Sequence, residues 1–440
     1  MKKLKKRFVL GTATLVMSVM LAACGGSDPT DEPAEPTEPG DETEEEATAD
    51  DEVVTITYAR GYDQTGGNEK LIEAFMEKHP NIKVEFQEMP ADTGAQHSAY
   101  VTAFSAQSSE IDVFDVDVIW PAEFAQANYA LELDRFIERD GIDMNQYFPG
   151  TVQAGNVGGI QYAMPKFTDA GLLYYRSDIV ETPPSTWDEL LEMAEDLQGE
   201  EGTKFGYLMQ AAQYEGMVVN ATEFIAAYGG AVIDENGEVV INSPEAIKGL
   251  EKMKEIVQSD VVPSDITNFM ETETANSFIQ GNAVFARNWP YMQALSDGDE
   301  SNVSGNVEFS LLPAGDAGNA AGLGGWMVMI NRYSENVDAA WELVKFMTGP
   351  EGQKITAIHG GNAPTIEALY SDDEVLEASP LFANEEFVET LQNAVPRPVS
   401  PIYPEISDIM QVEISKLLAG ELTAEEAVQN MEEKMNAAIN

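Results

Sequence analysis

The 440-residue chain has one cysteine, Cys24, and three histidines, His79, His97 and His359. A single thiol excludes an intrachain disulfide and a zinc site built on several thiolates, so folding rests on core packing. The histidines stand in no HExxH or other metal-ligating spacing. GxSxG, Walker and helix-opening GxGxxG motifs are all missing, which removes the signatures of serine hydrolases, P-loop enzymes and dinucleotide enzymes. Bases are scarce: Lys and Arg number 24 against 77 Asp and Glu, for a formal charge of −53 at pH 7. That charge disfavours nucleic acid and anionic membrane surfaces as partners. It suits a saline habitat, where salt screens self-repulsion, or an alkaline one. No catalytic residue, metal or cofactor is expected. Acid pairs are so frequent, however, that a glycosidase-like carboxylate dyad would not stand out from solvated faces.

What is present begins with MKKLKKR, followed by an apolar run from Phe8 to Ala23. The run is short for a spanning helix and reads as a secretory signal. It ends in Leu21-Ala22-Ala23-Cys24-Gly25, a block that resembles a bacterial lipobox. Residues 1–24 are therefore expected to be a lipoprotein signal peptide, with Cys24 as the lipidated residue; the competing reading is an ordinary signal with a chance cysteine. Residues 25–52 hold 13 acids, no bases and four prolines. Such a segment buries too little apolar surface to offset its ordering entropy, and it reads as a tether of up to about 90 Å. The body is 53–440, long enough for two domains.

The body opens with a β-branched strand, VVTITYARG, then an amphipathic helix over 68–79 carrying Leu71, Ile72, Phe75 and Met76. A strand, IKVEFQEM, a helix over 99–106 and a third strand over 112–120 follow. This alternation predicts an open α/β sheet, with ligands in the crevice beyond the strands' carboxyl ends, where Asp117 and Trp120 fall. A second alternating region starts at GLLYYR, and helices are predicted over 216–228, 243–258 and 271–280, with Thr186 capping an earlier one. AVFAR, VEFSLLP and GWMVMI read as strands, and the C-terminal part as helices whose Ile, Leu and Met stripes are core.

Aromatics beside loops are the remaining signal: Trp120, Tyr174, Tyr175, Trp289, Tyr291, Trp326 and Tyr403. A sugar presents flat C–H faces and a rim of hydroxyls, so its site wants aromatic platforms plus carboxylates, amides and arginine. Each aromatic alone reads as core. Trp289 and Tyr291 differ, because they flank Pro290 at a strand end with Arg287 and Asn288 alongside. Trp326 follows Gly324 and Gly325, which let a ligand approach the backbone.

DVFDVDVIW, FTDAGLLYYR, PPSTWDEL, YEGMVVNATEFIAAYGG, GNAVFARNWPY, GLGGWMVMINRYS and AVPRPVSPIYPEIS stand in this order along the body. With the lipobox and tether, they resemble the extracellular solute-binding proteins of ATP-binding cassette sugar importers, in the trehalose/maltose-binding branch. The resemblance implies an α/β, two-lobed periplasmic-binding-protein fold of type II, maltose-binding-protein-like, with three hinge crossovers near 167–172, 304–312 and 347–353. The N-terminal lobe would be 53–168 and 306–350, and the C-terminal lobe 169–305 and 351–440. It implies a monomer held by lipidated Cys24 on the outer face of the cell membrane, binding an α-linked disaccharide and delivering it to membrane permease subunits. Asp117 and Asp169 would accept hydrogen bonds from hydroxyls, Phe167 would stack, and Trp289 and Tyr291 would contact one ring. Gly324, Gly325 and Trp326 would form a second platform, and Arg397 would give a charge-assisted bond. Asp63, Gln64, Thr93 and His97 complete the expected ligand contacts. Asp63-Gln64 and Gln96-His97 depart from the family pattern, which leaves the sugar open. Another oligosaccharide, a glycoside or a compatible solute are rival ligands, and a surface carbohydrate-processing enzyme or a sensor are rival functions.

Overall fold

The computed structural model describes residues 53–234, 236–398 and 400–439. The signal peptide, Cys24 and the tether lie outside the described residues.

Two sheets organise the body. The first has five strands in the order Ile82–Met89, Val54–Gly61, Val113–Asp117, Leu323–Ile330, Met164–Ala170. Its first three strands are parallel, and Leu323–Ile330 enters antiparallel to both neighbours. The second has four strands in the order Val307–Leu311, Leu172–Arg176, Ala283–Asn288, Phe205–Leu208. Parallel strands need helical crossovers, and these cover the sheets. Helix Gly67–Lys78, for example, buries Leu71, Ile72 and Phe75 against the first sheet's core.

The lobe boundaries differ from those expected. Asp169 belongs to the first sheet, and the chain passes to the second across Gly171. Val307–Leu311 pairs with Leu172–Arg176, so the second crossing runs through 312–322 and not 304–312. A β-branched run such as VEFSL carries no local mark of which sheet it joins. Helix Pro350–Gly360 stays with the first lobe: Gly360 abuts Gly67, and Glu351 pairs with Lys78. The Gly349-Pro350 break ends one helix and starts another within that lobe. The third crossing is near 395, where Leu323 N donates to Val395 O and Val395 N to Ala321 O, so the second and third crossings run side by side.

Two smaller differences bear on the site. The third strand ends at Asp117, and 118–120 turn into the proline-started helix Pro121–Gln126. The helix expected over 99–106 begins at Thr93, capped by Asp92, whose carboxylate accepts from Ala95 N at 2.6 Å. Tyr174, Tyr175, Trp120 and Tyr403 are buried as core. Helices Tyr403–Leu418 and Ala424–Ile439 bury the predicted stripes, although Ile439 itself is exposed. No helix among the described residues is long and apolar enough to cross a membrane.

Candidate ligand-binding cleft

Sheet register builds one wall of a cleft of about 380 Å³. Trp326 sits opposite Asp117 on one side and Phe167 on the other, and Gly324 sits opposite Asp169. Opposed residues share a face, so these side chains form one row. The pairing then skips Lys166, a bulge that turns this lysine inward. Its ammonium meets Asp115 (2.7 Å), Tyr58 (2.6 Å) and Asn68 (2.9 Å). Burial pulls Lys166 down to about 8, with Asp115 opposing.

The other wall comes from the second lobe. Trp289 and Tyr291 lie just beyond the carboxyl end of strand Ala283–Asn288 and line the cleft. Arg287 and Asn288, their companions in sequence, are fully buried beneath. The Arg287 guanidinium lies 4.0 Å from the Trp289 ring centroid. Glu271 braces the same ring, accepting from Trp289 Nε1 (3.4 Å) and from the Tyr214 hydroxyl (2.8 Å). The walls touch at Gly324: a Cβ there would come within 2.8 Å of the Trp289 ring, so only glycine allows the approach.

Arg397, on the third crossing, joins the lobes. It grips both oxygens of Asp117 (2.6 and 3.2 Å) and one of Glu215 (2.7 Å). Glu215 opens the second-lobe helix Glu215–Ala227 and also accepts from Tyr403 and Ser407. Asp117 and Arg397, each expected as a ligand contact, also bond each other across the cleft wall. Arg397 Nε is left buried without a partner. So are Thr93 Oγ1 and Asp169 Oδ1, and all three residues line the cleft. Burial pushes the Asp169 carboxyl up to about 7; Arg287 opposes the rise and Asp117 adds to it.

All the predicted ligand contacts line this cleft except His97. His97 bonds Glu123 at 2.7 Å and packs beside Trp120 and Phe124. One step along a helix rotates a side chain by about 100°, and Gln96, not His97, faces the cleft. Asp63 lines the cleft, but its oxygens already accept from Thr65 N and Oγ1 and from Asn68 N and Nδ2. Burial would raise it; Arg60 and these bonds prevail and hold it below the usual carboxylate range. It is chiefly a loop-and-helix cap, which leaves Gln64 the freer neighbour.

The family described as Bacterial extracellular solute-binding protein matches residues 63–354. The chain belongs to that family. This solute-binding protein is 34% identical over 398 residues, 86% of its own length and 92% of the relative's, to a probable ABC transporter-binding protein of Deinococcus radiodurans. It is 25% identical over 342 residues, 76% of its length and 70% of the other's, to a maltotriose-binding protein of Pyrococcus abyssi. Among solved structures it is similar to maltose-bound MalE3 of T. maritima, with a TM-score of 0.83 and 39% identity over 88% of this chain and all of that one. Family membership places the solute-binding protein outside the cytoplasm.

Gln96, which the sequence marks only as a departure from the family pattern, lines the cleft, and so do Tyr214, Glu215 and Glu271, which it does not mark at all. One signal was available. EGMVVNATEFIAA is apolar nearly all round, so its helix had to be buried, and the acids Glu215 and Glu223 in it required buried partners. No signal marked Glu271, which is one acid among many. No group of three or more His, Cys, Asp or Glu among the described residues could hold a metal ion.

Proposed function

We propose that this solute-binding protein captures an α-linked oligosaccharide of maltose or trehalose type and delivers it to an ATP-binding cassette permease. The observation that carries the reading is one cleft with buried, partnerless hydrogen-bonding atoms on Thr93, Asp169 and Arg397, set beside the rings of Trp289, Tyr291, Trp326 and Phe167. An unpaired buried polar atom costs about 1–3 kcal/mol, which a ligand hydroxyl recovers. Rings recover apolar area against a pyranose face. The likeness to a maltose-bound structure supports the same ligand class.

Each lobe supplies part of the site, so the ligand makes its full set of contacts only when the lobes are closed, and binding favours that state. Lipid on Cys24 and the acidic segment 25–52 would keep the loaded protein near its permease and raise its effective concentration. The chain acts as a monomer, and no bond is made or broken by it.

Titration calorimetry in high and low salt against maltose, trehalose, sucrose, glucose and glycine betaine tests the reading. Micromolar or tighter binding of one α-disaccharide is expected. Binding of glycine betaine alone, or no heat with any of the five from a folded sample, would overturn the ligand class. Replacing Cys24 by Ser should release the protein from the membrane fraction; unchanged fractionation would sink the anchor.

A further inference from the structure

Arg287 and Glu223 form an ion pair closed off from solvent, with side chains 1% exposed each. Arg287 Nε donates to Glu223 Oε2 at 3.0 Å, its Nη2 bonds Oε1, and its Nη1 meets Gln210 Oε1 at 3.2 Å. Both charges are desolvated, so the pair is an expensive way to fill space. Its surroundings indicate a use.

The first two interlobe crossings run against it. Gly322 N, on the second crossing, donates to Glu223 Oε1 at 3.0 Å. On the first crossing, a Cβ at Gly171 would fall 2.2 Å from Glu223 Oε1 and 2.7 Å from Arg287 Nη2. On its far side the same guanidinium covers the Trp289 ring at 4.0 Å. One buried group thus touches both the hinge and the back of the cleft's aromatic wall.

We infer that Arg287 and Glu223 are positioning residues that couple the pose of the Trp289 ring to the geometry of the hinge, so that hinge rotation and ring placement change together. The ring's role as a ligand platform rests on the function proposed above; the coupling does not. A guanidinium held by a bidentate carboxylate has one orientation, and an indole resting on it inherits that orientation. A lysine, as a point charge on a flexible stem, would keep the charge and lose the orientation.

The test uses the full chain with 15N-labelled tryptophan and two variants, Gly171→Ala and Arg287→Lys. Gly171 does not line the cleft, and Gly171→Ala removes no charged group, so it carries the test even if the buried lysine does not fold. The Trp289 indole N–H resonance is assigned by its loss in Trp289→Phe. In ligand-free protein it should shift in both variants, while that of Trp341, packed on Phe136 in the first lobe, stays in place. Maltose affinity should fall roughly tenfold in each. An unmoved Trp289 resonance in folded Gly171→Ala would overturn the coupling. If the resonance shifts but wild-type protein binds no sugar, the coupling stands and the ligand reading falls.

Discussion

The first lobe meets the cleft with strand residues in register: Asp117, Trp326 and Phe167 in one row, with Gly324 and Asp169 beside it. The second meets it with residues at or beyond element ends, Trp289 and Tyr291 after a strand and Glu215 and Glu271 at the starts of helices. In the first lobe a pleated surface sets the spacing, and the sheet itself holds the side chains. In the second, the Trp289 ring is braced by Arg287 and Glu271, and the turn that carries it is held by the Tyr174 hydroxyl, which donates to the backbone carbonyls of Trp289 and Pro290. The register-built wall should therefore tolerate change in small steps, whereas the braced wall should fail when one brace or ring is lost.

The largest effect is expected where the walls are joined. Arg397→Ala leaves Asp117 and Glu215 buried without their cation and should lower unfolding free energy by about 3–5 kcal/mol in urea melts. A loss under 1 kcal/mol would mean the lobes are held by something else. Next, Trp289→Ala should weaken maltose binding about 100-fold, near 2.7 kcal/mol, with unfolding still cooperative. Loss of cooperative unfolding would make this ring core and not wall.

On the register-built wall, Asp169→Asn should cost about tenfold in affinity, since an amide accepts one fewer hydroxyl with charge assistance. The same variant sharpens the electrostatic comparison. Burial raises Asp169 from 3.8 to about 7, so its contribution to ligand-free stability is fully present below pH 3.8 and is lost as pH rises through about 7. Wild-type melting temperature should therefore fall relative to Asp169→Asn between pH 4 and 8. Parallel profiles would mean that Asp169 titrates at its ordinary value. The smallest effect is expected at His97, which lies outside the cleft: His97→Ala should change maltose affinity by less than about twofold. A tenfold loss would restore it as a ligand contact.

The elements and part of the site's membership are written in local windows of the chain. Alternation marked IKVEFQEM as a strand with the bounds observed, the 3-and-4 spacing marked a helix over 68–79 that forms as Gly67–Lys78, and Thr186 caps its helix by accepting from Glu189 N. These are local signals, carried by backbone periodicity and first-turn chemistry. The aromatic pair around Pro290 and the ordered family blocks pointed to residues such as Asp117, Asp169, Trp326 and Arg397 that do line the cleft, while Tyr214, Glu215 and Glu271 on the same cleft went unmarked. Other features depend on packing between distant segments, which no local window encodes. Which sheet Val307–Leu311 joins depends on partners over a hundred residues away. Whether Gln96 or His97 faces the cleft depends on what packs against their helix. Arg287 and Trp289 stand two residues apart, yet one became a fully buried brace and the other a half-buried ring lining the cleft, because a strand's end allows the chain to turn only after its last ladder partner.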